Sequence, residues 1–231
     1  GQRIVIEFQC SPLSLTALQK RTFGYQSIGI KCYWFLGSPY KRKLNQRQAQ
    51  KFVQIVNRQY TIIFWDIKAK IFRLVKLAIK EKPLSLKGVT RDYRILHRLS
   101  LLQEINPCVK KFTGGLPVIC HQKIWGIQVT NHPEIYWRCL VVKRLNEIPL
   151  FTSFSLNSWL YLLKEVGLTE WVKFPCLPSS RIINDYLKVF TKQLLKSGII
   201  MMDGQTIILI RHPSSHRSLM NQYQEIQRLI Q

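Results

Sequence analysis

Two apolar runs on either side of one helix-length segment leave few folds open to this chain. Arg3 to Cys10 (RIVIEFQC) and Ile30 to Leu36 (IKCYWFL) are rich in β-branched and aromatic residues and read as strands. Between them, about Leu13 to Ile28 reads as a helix, with Ser11 as its cap, Pro12 in the first turn and Gly29 where a C-terminal cap belongs. Strand, helix and strand with such short joints pair in parallel through a crossover. The expectation is an α/β first part over about residues 1–80, with a mixed sheet whose central strand is Arg3 to Cys10.

A basic stretch follows, Lys41-Arg42-Lys43 with Arg47 and Lys51, running into a helix over about Gln46 to Val56. Tyr60 to Ile67 and Ile71 to Lys76 read as a hairpin across Asp66 to Lys70, and Lys80 to Gly88 is the linker candidate. The expected domains are therefore 1–82, α/β, and 83–231, mainly helical. In the second, Asp92 to Ile105, Leu156 to Val166 and Arg181 to Lys196 read as helices, and Gly114 to Pro117 as a turn. The stretch Val118 to Leu145 mixes strand and helix signals and assigns neither. Ile199 to Met202 and Thr206 to Ile210 flank Asp203-Gly204, a strong hairpin signal, and a helix running directly into a hairpin is the ending of a winged-helix module. Ser218 to Gln231 is a last short helix.

Charge narrows the partners. Lys and Arg number 35 against 12 Asp and Glu, a formal charge of +23, and the pI is about 10.1. Nucleic acid is the first partner such an excess implies, and an anionic membrane surface the second. No stretch of about 18 uncharged apolar residues occurs, so no membrane span is expected, and no signal-peptide pattern opens the chain. It starts at Gly1, without Met, and enters a strand almost at once; the expectation is a piece of a longer protein. Six cysteines, at 10, 32, 108, 120, 139 and 176, contain no CxxC pair and read as reduced thiols of a cytosolic protein.

Glu7 and Gln9 share one face of the first strand, while Ile4, Ile6 and Phe8 share the other. A carboxylate on a buried strand needs a partner. Mg²⁺, which takes oxygen ligands, is one; the alternative is a Glu7 at a sheet edge or paired with an arginine. Lys41, Arg42, Lys43, Arg47 and Lys51 form a strip suited to backbone phosphates, or else a solvated face. Lys188, Lys192 and Lys196, preceded by Arg181, suit a recognition helix, although such modules also bind proteins. Trp125, Trp137, Trp159 and Trp171 read as core, and His121, His132, His212 and His216 lack metal-ligand spacing.

The run Ile6-Glu7-Phe8-Gln9-Cys10-Ser11-Pro12-Leu13-Ser14 resembles the central signature of the competence protein CoiA family, which is similar to a divergent branch of the PD-(D/E)xK nucleases with Gln in the lysine place. The resemblance continues through Arg21-Thr22, Tyr25, Gly29 and Tyr33 to Gly37, covering about residues 3–37. It implies a nuclease-like protein of the bacterial cytoplasm that acts on transforming DNA during uptake and recombination, with a recombinase or other competence proteins as partners. It also implies a Mg²⁺ or Mn²⁺ site in which Glu7 is a ligand and Gln9 stands at the lysine position. Arg21 and Tyr25, four apart on one helix face, lie beside Glu7 in that reading. Arg21 then grips a phosphate or pairs with Glu7, and Tyr25 joins the site or the core. The second metal carboxylate, an Asp, belongs on a strand before Gly1. The expectation is that the full-length protein is a metal-dependent deoxyribonuclease, while this chain binds DNA without sequence preference and does not cut it. The rival reading is a non-catalytic DNA-binding adaptor of a recombination complex that keeps the nuclease fold.

Overall fold

The computed structural model describes residues 1–43, 47–101, 115–166, 171–216 and 218–230, the side chains of Lys43, Ser179 and Leu219 excepted. These residues fall into two compact units. The first comprises Gly1–Ile79, Trp125–Val129 and Val172–Ile183, and the second Lys80–Ile124, Thr130–Trp171 and Asn184–Gln231.

The first unit is built on a mixed five-stranded sheet: β1 (Ile4–Gln9), β2 (Lys31–Leu36), β3 (Gln54–Val56), β4 (Gln59–Asp66) and β5 (Ile71–Leu77). Helix α1 (Leu15–Ser27) connects β1 to β2, which pair in parallel with Glu7 opposite Trp34 and Gln9 opposite Leu36. The helix is capped by Ser14, whose hydroxyl accepts from the Ala17 amide at 3.1 Å, not by Ser11. The Ser11 carbonyl is held instead by the side chains of Gln9 and Tyr40, which keeps Cys10 to Leu13 as a loop. Gly29, at φ +69, ends the helix as its sequence position suggests.

β4 is the centre of this sheet. It runs parallel to β2 (Phe35 with Ile63, Leu36 with Phe64) and antiparallel to β3 and β5. β1 is therefore an outer strand, not the central one the sequence suggested. Thr61 to Phe64 are all buried, so the middle of the sheet goes to β4, the strand most shielded on both faces. Where β2 lacks a strand partner, the amide of Gln54 serves: its Oε1 accepts from Trp34 N (3.2 Å) and its Nε2 donates to Trp34 O (2.7 Å).

One face of the sheet buries Leu18, Trp34, Leu36, Phe52, Ile62 and Phe64. The other face is open at β1, where Ile4, Ile6 and Phe8 are 58%, 48% and 56% exposed. Phe8, Phe35, Trp65 and Phe72 cluster there, with Trp65 and Phe72 centroids 4.4 Å apart. The alternation of β1 was legible, but its apolar side faces out, because the crossover helix packs on the side of Glu7.

The helix expected over Gln46 to Val56 is a single turn, α2 (Arg47–Gln50). Phe52 and Val53 are buried, and Gln54 onward enters β3. Asn57 and Arg58, at φ 49 and 63, make the two-residue turn into β4, the primed geometry that strand twist favours. The β4–β5 hairpin falls where the sequence placed it. Gly126 closes the unit: at φ +111 a Cβ there would lie 1.8 Å from the Ala78 carbonyl oxygen. The Gln50 side chain fixes that segment through Gly126 O and Gln128 N.

The second unit is mainly helical. It contains α3 (Leu86–Leu101), α4 (Glu134–Glu147), β6 (Ser153–Ser155), α5 (Leu156–Glu165), most of α6 (Ser179–Lys196), the hairpin β7 (Ile200–Asp203) and β8 (Thr206–Leu209), and α7 (Leu219–Ile230). α3 begins six residues ahead of Asp92, and its expected end at Ile105 lies outside the described residues, as do Gly114 and Gly167. The unassigned stretch Val118 to Leu145 is mixed: a 3-10 turn at Val118–Cys120, a short strand at Ile124–Trp125, then α4. The three short strands pair in the order β6-β8-β7, and the turn falls at Gly204-Gln205, one residue later than Asp203-Gly204, with Asp203 paired to Thr206 and Gly204 at φ +57. Trp137 packs on Phe190 at 4.9 Å between centroids, and the Trp159 indole donates to Thr191 at 2.9 Å. These two tryptophans are core, whereas Trp125 is 49% exposed.

Beneath α3, Asp92 is fully buried, bonded by Lys123 and 3.1 Å from His121 Nδ1. Burial holds the His121 imidazole below its ordinary pKa against the upward pull of Asp92. Cys10, Cys32, Cys120, Cys139 and Cys176 are free thiols, and Cys108 lies outside the described residues. Among the described residues, no helix is long and apolar enough to cross a membrane.

Candidate functional site on the first sheet

Parallel β1 and its crossover helix bring three of the four expected site residues together. Glu7 projects from β1 towards α1, where Arg21 and Tyr25 stand one turn apart. The Tyr25 hydroxyl donates to Glu7 Oε1 at 2.7 Å, and Arg21 Nη1 lies 3.8 Å from Glu7 Oε2. The Glu7 side chain is 20% exposed and that of Arg21 is 50% exposed. The carboxylate is thus half-sunk, and the guanidinium reaches into solvent above it. The hydrogen bond to Glu7 raises the Tyr25 phenol above its ordinary range, with burial adding to it. Burial and then Glu7 push the neighbouring Cys32 thiol up to about 12. Both halves of the bland alternative are present: β1 lies at a sheet edge, and Glu7 faces an arginine. At 3.8 Å, and with one partner half-exposed, that ion pair is a weak one.

Gln9 does not join the group. It is 6% exposed, and its Nε2 donates to the carbonyl and hydroxyl oxygens of Ser11 at 2.6 and 3.2 Å. The amide pins the loop after β1 instead of presenting a donor beside Glu7.

The basic strip is less free than its sequence suggests. Lys41 bonds Asp66 at 2.7 Å and holds that carboxyl below its ordinary range. Lys51 is half-buried, donates to the Leu13 carbonyl, and is lowered from its ordinary range by burial. Arg42 and Arg47 are exposed, and the side chain of Lys43 lies outside the described ones. In the second unit, Lys188 and Lys192 stand exposed on α6, whereas Lys196 bonds Glu81 at 2.9 and 2.8 Å.

The residues present do not by themselves fit a divalent cation. Mg²⁺ asks for carboxylate oxygens in near-octahedral array and binds a single one weakly. Glu7 offers one carboxylate, with Oε1 already accepting the Tyr25 hydrogen bond. Among the described residues, no group of three or more His, Cys, Asp or Glu side chains is placed to hold a metal ion. What the cluster offers is the half-exposed guanidinium fork of Arg21 at the mouth of a carboxylate site, a group that binds phosphate oxygens, while the Tyr25 hydroxyl is engaged by Glu7.

Sequence reasoning missed the buried polar groups of the second unit, Asp92 with His121 and Lys123, and Arg138 with Glu134. His121 and Lys123 stand 29 and 31 residues from Asp92, and Arg138 stands 4 from Glu134 and 55 from Gln193, which it also bonds. Only the Glu134–Arg138 spacing of four on α4 was available as a local signal.

Residues 1–100 match the family profile described as the nuclease-like domain of competence protein CoiA. No curated protein and no solved structure matches the chain. The matched span contains the whole sheet, the Glu7 cluster and nearly all of α3. Through its residues 1–100, the chain is similar to the nuclease-like domain of competence protein CoiA.

Proposed function

We propose that this is a nuclease-like, DNA-processing protein that acts in the bacterial cytoplasm on transforming DNA during uptake and recombination. It holds DNA through backbone phosphates without reading sequence. The observation that carries the proposal is the match of residues 1–100 to the CoiA nuclease-like domain. The charge of +23 agrees with a polyanionic substrate. A recombinase or another competence protein is the protein partner such a role implies.

A salt titration tests the DNA reading. With about 6–10 phosphates neutralised, affinity for DNA of arbitrary sequence falls by about 10³–10⁵ between about 50 and 200 mM salt. Binding that ignores salt, or no binding at low salt, contradicts it.

In this reading Arg21 grips a phosphate beside Glu7, and Tyr25 holds the Glu7 carboxylate in place. Arg21→Ala is expected to weaken DNA binding about tenfold or more, a loss typical of one charge-assisted contact. It should change stability by only about 0.5 kcal/mol or less, because the pair with Glu7 is long and solvent-screened. A sharp fall in thermal midpoint with unchanged DNA affinity would instead make Arg21 a structural residue.

Cleavage requires a cation and therefore a second carboxylate beside Glu7. The resemblance puts it, as an Asp, on a strand preceding β1. The outer edge of β1 has no strand partner among the described residues and is the place where such a strand would pair. Mg²⁺ or Mn²⁺ would there activate water and balance phosphate charge. One observation favours the adaptor reading: the Gln9 amide is occupied by Ser11 and supplies no cation in the lysine position.

For the second unit, we read the order α4, β6, α5, α6, β7, β8 as a winged helix with α6 facing DNA. Support comes from the β6-β8-β7 strand order and from Arg181, Lys188 and Lys192 exposed along α6.

A further inference from the structure

We propose that the exposed face of α3 is a phosphate-contact surface for nucleic acid, formed by Lys87, Arg91, Arg94 and Arg98. The inference rests on the DNA-binding reading above and assigns it a further surface.

The four residues stand at i, i+4, i+7 and i+11, so they lie on one helix face. All four are exposed, while Val89 and Asp92 are buried. Among the described residues, none of the four is paired with a carboxylate. The stripe runs about 16 Å along the helix axis, at about 1.5 Å per residue. A DNA strand presents one phosphate per about 3.4 Å of its axis, so several fall within reach.

At its N-terminal end the stripe opens into a groove of about 490 Å³. Four cationic side chains line it, Lys82, Lys87, Arg91 and Arg94, with the hydroxyls of Ser85 and Thr90 and, among the described residues, no carboxylate. Arginine forks and hydroxyls are suited to phosphate oxygens.

The fold gains little from this arrangement. Lys87 lies in the first turn, where the helix dipole favours anions, and that turn contains no acidic residue. Lys87 with Arg91, and Arg94 with Arg98, are like-charged pairs four apart, which destabilise a helix slightly. An external polyanion relieves both effects. A membrane surface fits less well. An interfacial helix must offer an apolar face to lipid, and the far side of α3 is occupied by packing on α4 and α7.

The test uses fluorescence anisotropy with labelled DNA of arbitrary sequence across a salt series. It compares the wild type with K87Q/R91Q/R94Q/R98Q and with a control that loses the same charge elsewhere, K20Q/K68Q/R73Q/K76Q, all exposed positions. The α3 variant is expected to lose about 3–4 from the slope of log affinity against log salt, near one per phosphate contact. Its affinity at fixed salt should fall at least about tenfold, clearly more than in the control. Equal losses in variant and control, or a wild-type slope in the variant, overturn the assignment while leaving DNA binding intact. A wild type that does not bind DNA at low salt overturns both. Binding through this face to phosphatidylserine vesicles, but not to DNA, also overturns it. If the fourfold variant does not fold, K87Q/R91Q carries the test, with a slope loss of about 2.

Discussion

Arg138→Ala lowers the unfolding free energy of the second unit by about 3–5 kcal/mol, as expected when one partner of a buried ion pair is deleted. Arg138 lies on α4 with no exposed surface. Its Nε and Nη2 donate to Glu134 Oε1 at 2.9 and 2.8 Å, its Nη1 to the Ile119 carbonyl at 3.0 Å, and its Nη2 also to Gln193 at 2.9 Å. The guanidinium carbon stands 4.7 Å from the centroid of the Phe190 ring. Glu134 Oε1 further accepts from the Tyr186 hydroxyl at 2.8 Å and from the Ile124 amide at 3.1 Å. Truncation removes the only cation in this group and leaves a largely buried carboxylate and a buried carbonyl without their donors. It also opens a cavity beside Phe190. The loss therefore exceeds that of an ordinary hydrogen bond, about 1 kcal/mol. Chemical denaturation of the variant measures it. Arg138→Met combined with Glu134→Gln should recover part of the loss, because the stranded charge is then gone. A loss below about 1 kcal/mol in Arg138→Ala would mean that this group does not hold the unit together.

The elements with local signals were legible in the sequence. Gly29 after α1, Gly204 at the turn between β7 and β8, and the polar stretch Asp66 to Lys70 between two apolar runs each carry their own turn chemistry. The spacing of Arg21 and Tyr25 placed them on one face, and the structure puts both against Glu7. Strand order was not legible. Whether β1 is central or outer depends on β4 pairing with β2, a contact between residues 28 apart whose preference no local pattern encodes. The segment after Arg47 failed for a related reason. Its residues tolerate a helix, but the Gln54 amide is claimed by Trp34, and Asn57-Arg58 then turns the chain into β4. Charge was legible only as a total. Which cations are left unpaired depends on distant acids: Asp66 pairs with Lys41 and Glu81 with Lys196, whereas α3 keeps its four arginine and lysine side chains without such partners among the described residues.

The role given to Glu7 bears most of the functional reading, and Mn²⁺ binding with DNA nicking tests it most directly. A single carboxylate, with one oxygen bonded by Tyr25, holds a hydrated cation poorly. The 231-residue chain is therefore expected to bind DNA but to leave it uncut with Mg²⁺ or Mn²⁺. A longer protein, in which an Asp-bearing strand precedes this sequence and pairs with the edge of β1, is expected to bind Mn²⁺ and nick DNA. In that protein Glu7→Gln should abolish nicking and weaken Mn²⁺ binding by at least the 10–100-fold (roughly) that follows from losing even an outer-shell group. DNA binding by the Glu7→Gln variant should persist, since the variant loses a negative charge and keeps every cation. Mn²⁺ binding and nicking lost on Glu7→Gln in the longer protein, with none in the 231-residue chain, is the predicted result. Cleavage by the 231-residue chain, or Mn²⁺ binding in the longer protein that ignores Glu7→Gln, would contradict it.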